Sequence, residues 1–293
     1  MADGVHLEAA VGSLPVVVLA LDSSARRGFG AAGPAWADAV VGPDDVEDVV
    51  GRVHATPLAA TALCTLLRAI PSVDVEHGLA MESAVYSTLQ GGPEFAAWRS
   101  VAAERPAADD GPTVLVERDG DRLVVTLHCP QRHNAISTRL RDELCAALRI
   151  AEVDDSIARV VLRGDGPSFC SGGDLGEFGE RSDPATAHAI RLTRSPARQL
   201  HRLGARANTT TIACIHGSTL GGGLELAAFA DRVVAHPDTV MALPELGLGL
   251  IPGAGGTVSL TRRIGRQRTA LLALSCRRID VTTALAWGLV DEV

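Results

Sequence analysis

Two glutamates twenty residues apart, each next to glycine-rich chain, are the residues whose types and spacing could do chemistry. Glu225 follows Gly221, Gly222 and Gly223 in the stretch from Ile215 to Asp231. Glu245 opens the run Leu243-Pro-Glu-Leu-Gly-Leu-Gly-Leu-Ile-Pro-Gly-Ala-Gly-Gly256. A further glycine turn lies upstream, Ser168-Phe-Cys-Ser-Gly-Gly-Asp174. A glycine at a helix start lets a ligand approach the backbone, because no Cβ intervenes. The first amides of a helix also lack internal partners and sit at its positive end. Two such turns could hold a developing negative charge, and two carboxylates could move protons beside it. That kit suits chemistry next to a carbonyl.

The elements around these residues must place them. The β-like run Thr211 to Ile215 enters the first glycine stretch, and a helix is expected over 222–229, with Glu225 on its first turn. Upstream, Val114–Glu117 and Arg122–Leu127 flank Asp119-Gly120, a hairpin signal. Ser137 should cap a helix that carries Leu140, Leu144, Leu148 and Ala151 on one face. A strand follows at 158–162, then one long helix at 185–203 and strands at 211–215 and 231–235. Helices near 254–263, 266–275 and 281–287 and a short strand at 289–292 come last. Strands alternating with helices indicate an α/β layered fold. Before residue 100 the texture is helical. Asp44 or Asp45 should cap one helix, Thr56-Pro57 should open a second, and helices are expected over 74–89 and 93–101. Pro15–Leu21 reads as a strand, 23–34 as a loop, and 35–41 as a short helix or strand.

With 293 residues the chain can bury a substantial core, and with 46% apolar but 3% aromatic residues that core is aliphatic. A net charge of −8 without a basic block argues against a nucleic-acid partner. No basic segment precedes Arg26, as a secretory signal would require, and the apolar run 14–21 is too short to span a membrane. The six cysteines form no ligand spacing, so no metal is expected; reduced, buried thiols of a cytoplasmic protein are the simplest reading.

Gln131-Arg-His-Asn-Ala-Ile136, Ser168 to Asp174, His216 to Glu225 and Pro244 to Gly256 occur in an order and spacing that resemble the crotonase superfamily, the enoyl-CoA hydratase/isomerase fold. The resemblance runs from about Thr113 to Val293 and implies a crotonase-like ββα spiral core. It implies an acyl-CoA thioester whose carbonyl lies between the amides of Gly173 and Gly222, with Glu225 and Glu245 as the two carboxylates of a hydratase. Substrate contacts are implied for Arg132, Ala135, Ser171, Asp174 and Gly221, with Arg132 near the CoA nucleotide or else solvated. No cofactor is implied beyond the coenzyme A that the substrate carries. The expected partner is an acyl-CoA, and the expected assembly a trimer or dimer of trimers. Reversible syn hydration of a 2-enoyl-CoA is the leading activity; isomerisation, dehydration of a specialised acyl-CoA, or non-catalytic acyl-CoA binding are the alternatives. Cys170 and His216 are expected to pack rather than react, Asp174 to tie its turn, and Arg262, Arg263, Arg266 and Arg268 to form a solvated or intersubunit face.

Members of that family continue into helices after a segment like Ala286-Trp-Gly-Leu-Val-Asp-Glu-Val293. Here a segment resembling those helices stands first, at 44–100. The expected organisation is an N-terminal extension at 1–43, the helical segment at 44–100, a linker at 101–112 and the core at 113–293. This describes a circular permutation; the rivals are an eroded first copy of a tandem duplication and an unrelated helical extension. Twelve linker residues can span roughly 40 Å, enough to return to the core. Helices 44–100 lying away from the core would exclude the permutation.

Overall fold

The hairpin at Asp119-Gly120 begins the main sheet of the computed structural model, which describes residues 14–23, 33–102, 111–178 and 183–293. Strands β3 (Val114–Asp119) and β4 (Arg122–Leu127) pair antiparallel, with Asp119 opposite Arg122 and Gly120 at φ +59°. β5 (Arg159–Gly164), β6 (Thr210–Ile215) and β8 (Arg232–Ala235) then follow, each parallel to its neighbour. Parallel neighbours require crossovers. α5 (Thr138–Val153) is the first; the Ser137 hydroxyl accepts from Leu140 N, and Leu140, Leu144, Leu148 and Ala151 are buried. The second crossover is not the single helix expected at 185–203. It is two, α6 (Pro184–Thr193) and α7 (Pro196–Gly204). Pro196 has no amide to continue a helix and disfavours helical geometry at Ser195, which is extended and caps α7 instead.

A second, shorter layer crosses from these strands into the glycine turns. β7 (Ser218–Leu220) and β9 (Val240–Ala242) pair in parallel, with Leu220 opposite Ala242. Single bridges widen the layer, joining Ile136 to Gly173, Cys170 to Thr219 and Met241 to Ile279. The turn after Cys170 is thereby fixed beside the turn after Leu220. α8 (Gly222–Ala227) leaves β7 with all six residues buried. α9 (Gly256–Ile264), α10 (Arg266–Ser275) and α11 (Val281–Trp287) complete the core. The strand expected at 289–292 reduces to one bridge between Val234 and Glu292.

The N-terminal helices are α1 (Val46–Ala55), α2 (Pro57–Ala69), α3 (Val75–Gln90) and α4 (Pro93–Val101). They lie on the core. Leu63, Leu67, Ile70, Leu79, Tyr86 and Phe95 join one buried cluster with Leu226, Val258 and Leu272. α3 packs against α6 and α9, and α2 against α10. Asp74 caps α3 by accepting from His77 N. Asp45 and Thr56 occupy cap positions without making cap bonds. Asp45 instead pairs with Arg277, and Glu94 of α4 takes the free amides of Leu58 and Ala59 at the start of α2. The expected linker falls mostly outside the described residues.

The expected strand at 15–21 shortens to β1 (Leu19–Leu21), which pairs in parallel with β2 (Ala39–Val41). One device starts this pair and two others. A carboxylate just before the later paired segment accepts an amide at or beside the earlier strand: Asp38 from Val18 N at 2.8 Å, Asp231 from Thr211 N at 2.7 Å, and Asp291, before the Glu292 bridge, from Val233 N at 2.7 Å. Of the four arginines expected on a solvated or intersubunit face, Arg262 is exposed and the other three make contacts within the chain. Arg263 donates to the carbonyls of Ala228 and Ala230 and pairs with Asp291, Arg266 donates to Ala35 O and Ala37 O, and Arg268 lies over Trp287. Arg263 and Arg266 thus tie distant segments through backbone carbonyls, which attract cations where no helix or strand uses them.

Asp38 is 2% exposed and bonds Arg68 through both carboxylate oxygens. Removing one partner of a buried ion pair leaves the other desolvated. Asp38→Ala should therefore cost about 3 kcal/mol, read as a lower urea midpoint with an unchanged slope.

Candidate active site

Glu225 sits on the first turn of α8 and is 1% exposed. Its Oε2 accepts from Ala254 N and Gly256 N, both at 2.7 Å. Glu245 opens a 3₁₀ turn (Glu245–Leu248) after β9 and is 8% exposed. The β7–β9 register brings it to the other carboxylate: Gly221 N donates to Ala242 O, so the end of β9 runs past the start of α8. Gly221 has φ +47° and ψ −126°. A Cβ there would stand 2.3 Å from Glu245 Oε1, so only glycine leaves the carboxylate room.

The two carboxyl groups are close enough to influence each other's ionisation. Burial is the main cause that raises both, and the Glu225 charge raises Glu245 further. Two amides counteract this at Glu225, so Glu225 ionises first and Glu245 keeps its proton. Glu245 Oε2 is buried and has no hydrogen-bond partner among the described residues. Glu245 lines a cavity of about 210 Å³ together with Glu225, Gly173 and Gly222.

The two glycine turns meet at this cavity. Ile136 N donates to Gly172 O and Asp174 N to Ile136 O, which leaves the Gly173 amide out of the ladder. Gly222 is the first residue of α8, and its amide has no preceding turn to bond. A Cβ on Gly222 would lie 3.8 Å from Gly173 N, so the two amides are neighbours. Two unused donors beside a proton-sharing acid pair can hold an oxyanion while an adjacent carbon gains or loses a proton.

The remaining sequence-derived residues support the turns. Asp174 ties its own turn by accepting from Gly176 N. Arg132 is neither a solvated loop cation nor an unneutralised one: its Nη2 lies 2.9 Å from Asp174 Oδ1, with 17% of the side chain exposed. Ala135 is buried, and Ser171 N donates to His133 O across the same turn. Asn134, fully buried, bonds Cys129 N and the carbonyls of Asp165, Ser168 and Phe169. Burial pushes the thiol of Cys170 up to about 12, and half-buried His216 bonds Gly166 O. Among the described residues no cluster of His, Cys, Asp and Glu could hold a metal ion, and no single helix is long and apolar enough to cross a membrane.

A third carboxylate escaped the sequence reading. Glu82 of α3 is 1% exposed and lines the same cavity. Its Oε1 accepts from Gly255 N at 2.7 Å, and its Oε2 from the amide and hydroxyl of Thr257. Glu225 takes the amides of 254 and 256 and Glu82 those of 255 and 257, so two carboxylates grip alternate amides of one loop. Burial, then the Glu225 charge, pushes Glu82 up to about 8. The only signal in the sequence was an acid placed mid-helix between apolar neighbours in Gly78-Leu-Ala-Met-Glu-Ser83. Nothing local connects it to a loop more than 170 residues away.

Comparison with known proteins matches residues 119–293 to the family described as enoyl-CoA hydratase/isomerase. The chain is 36% identical over 180 residues to a 2,3-dehydroadipyl-CoA hydratase of Escherichia coli, covering 61% of this chain and 68% of that one. It is 34% identical over 175 residues to a mevalonyl-coenzyme A hydratase of Beauveria bassiana, covering 58% and 62%. These matches thus span about two thirds of the relatives' length. Among solved structures, an enoyl-CoA hydratase from Thermoplasma volcanium superposes with a TM-score of 0.57 at 35% identity, covering 62% of this chain and 72% of that one. A Thermobifida fusca protein in complex with CoA does so with a TM-score of 0.55 at 31% identity, covering 62% and 72%.

Carboxyl groups held above their ordinary 4.5 bind protons in the fold that they release in the unfolded chain. Between pH 4.5 and about 8 the native state binds more protons, so stability must fall as pH rises. The melting temperature should therefore decline from pH 5 to pH 8, and Glu82→Gln, which cannot ionise, should flatten that decline.

Proposed function

The chain belongs to the enoyl-CoA hydratase/isomerase family, and from that premise we propose that it adds water reversibly, in syn fashion, to a 2-enoyl-CoA thioester. The thioester oxygen accepts from Gly173 N and Gly222 N. Glu225, the more readily ionised carboxylate, takes a proton from the water that attacks Cβ. The negative charge that develops on the thioester oxygen is stabilised by the two amides, each worth about 3 kcal/mol of barrier. Glu245 then delivers its proton to Cα, and proton exchange with solvent returns the pair to its starting state. Syn addition requires both carboxylates to act from the same face of the bound enoyl group. The reading is carried by one cavity that Glu225, Glu245 and the two glycines with unused amides line together. CoA enters with the substrate, and no separate cofactor takes part.

The organisation proposed for the chain is a circular permutation, with the helical segment 44–100 doing the work of a family member's last helices. Its support is that α3 supplies Glu82 and Tyr86 to the catalytic cavity. A homo-oligomer, trimeric or built of paired trimers, is the proposed assembly.

Loss of the conjugated thioester absorbance of crotonyl-CoA tests the reaction. Glu225→Gln and Glu245→Gln should each slow turnover by about 10²–10⁴-fold while acyl-CoA binding measured by calorimetry persists. Turnover that survives in Glu225→Gln but not Glu245→Gln would mark an isomerase. The wild-type profile should be bell-shaped: activity rises as Glu225 ionises, near pH 7, and falls as Glu245 loses its proton at higher pH. A chain that begins at Thr113 and runs from Val293 through a flexible linker into residues 14–102 should fold and keep this activity; an unfolded or inactive product would count against the permutation.

A further inference from the structure

The cavity that holds the glutamates has a basic far wall. Arg141 of α5, Arg191 of α6, Arg194 at the break between α6 and α7, and Arg198 of α7 all line it. Three of them have a carboxylate. Arg141 lies 2.7 Å from Asp142 Oδ1, Arg194 3.0 Å from Asp142 Oδ2, and Arg198 3.2 Å from Glu76. Arg191 has none within ion-pair distance among the described residues. Its guanidinium donates to Ser83 Oγ, Ser87 Oγ and Gln90 Oε1, all uncharged, and stands 4.7 Å over the Tyr86 ring.

These contacts orient the cation without neutralising it. All four partners belong to α3, so Arg191 also ties α3 to α6, but a neutral donor could make that tie without a desolvated charge. Burial is the largest cause lowering the Arg191 pKa; Tyr86 and Glu82 partly offset it, and Arg141 adds a smaller repulsion. Glu82, the nearby carboxylate, already accepts from three donors of the 255–257 loop and is pushed towards its neutral form. A second cavity of about 320 Å³ adjoins the first, and both Arg141 and Arg191 line it as well. Asp174 and Glu177 line this second cavity too, but Asp174 is paired with Arg132 and Glu177 accepts from Thr138 N, so Arg191, with no carboxylate in ion-pair distance among the described residues, is the cation left to receive an anion.

The anion's source follows from size. A cavity of about 210 Å³ that already includes Gly173 and Gly222 has room for a short acyl chain. The CoA pyrophosphate lies a long pantetheine arm away from the thioester carbonyl, whereas the end of a short acyl chain stays beside it, in the cavity that Arg191 also lines. We propose that the acyl group this chain accepts ends in a carboxylate, and that Arg191, assisted by Arg141, receives it. The proposal rests on reading the Gly173, Gly222, Glu225 and Glu245 cluster as the thioester site. The charge at the chain end would select the substrate and pull the enoyl group into register with the acid pair.

The test compares a 2-enoyl-CoA ending in a carboxylate with the methyl-ended ester of the same length. Hydration is followed by absorbance, and calorimetry follows binding of the two saturated esters and of free CoA. The wild-type chain should prefer the carboxylate-ended ester by about tenfold or more in both assays. Arg191→Gln should erase the preference while leaving the methyl-ended ester and free CoA unchanged, and Arg191→Lys should restore part of it. If Arg191→Gln melts early, Arg141→Gln reads the same loss of preference from a second position. No preference in the wild type overturns the proposal. So does an equal loss for both esters, which would make Arg191 a strut, or an equal loss for free CoA, which would assign the anion to a CoA phosphate. Preferential binding of the carboxylate-ended ester without hydration of either substrate would sink the hydratase reading and uphold this one. Absence of any thioester binding would end both.

Discussion

Everything around the cavity depends on keeping three carboxyl groups out of water at close quarters. A buried carboxylate is tolerated only if donors satisfy it or a proton neutralises it. This fold uses both means. Glu225 and Glu82 share out four successive amides of the 254–257 loop, and Glu245, left with an unpartnered oxygen, keeps its proton. The asymmetry between donors makes one acid of the Glu225–Glu245 pair a proton acceptor and the other a proton donor. Without the loop amides the two would be chemically alike.

The loop is held from two directions, and that links catalysis to packing. Glu225 reaches it from α8 inside the core, and Glu82 from α3 in the N-terminal helical segment. The helical segment is therefore no appendage: its burial against α6, α9 and α10 places a carboxylate, an aromatic ring and the contacts that orient Arg191. The same segment contributes Leu79, Tyr86 and Phe95 to the common apolar cluster. Displacing α3 would both expose apolar surface and free the loop that sets the ionisation order of the acids.

The second, shorter layer explains how residues far apart in sequence meet. Gly173 and Gly222 lie in turns at the ends of segments that bridge one another, and Glu245 follows β9, which pairs with β7. Backbone pairing, rather than side-chain contact, sets those three positions. Gly221 then decides whether the arrangement is possible, since any Cβ there would meet the Glu245 carboxylate.

The site's local parts were legible in the sequence because local rules govern them. Glycines mark the turns at 172–173 and 221–223, an acid follows one helix start, and periodic leucines identify α5. The order of these motifs was enough to indicate the family. What depended on distant partners was not legible. The helix expected at 185–203 breaks because Pro196 outweighs its apolar spacing, and Arg263 and Arg266, expected on a solvated face, instead bond carbonyls across the chain. Glu82 and Arg191 read as an ordinary mid-helix acid and base until α3 docks. Sequence determined which turns and acids exist, since conformational preference acts within a few residues. Tertiary structure alone decided which acid keeps its proton and which cation lacks a counter-charge, because both depend on burial and on neighbours that only packing supplies.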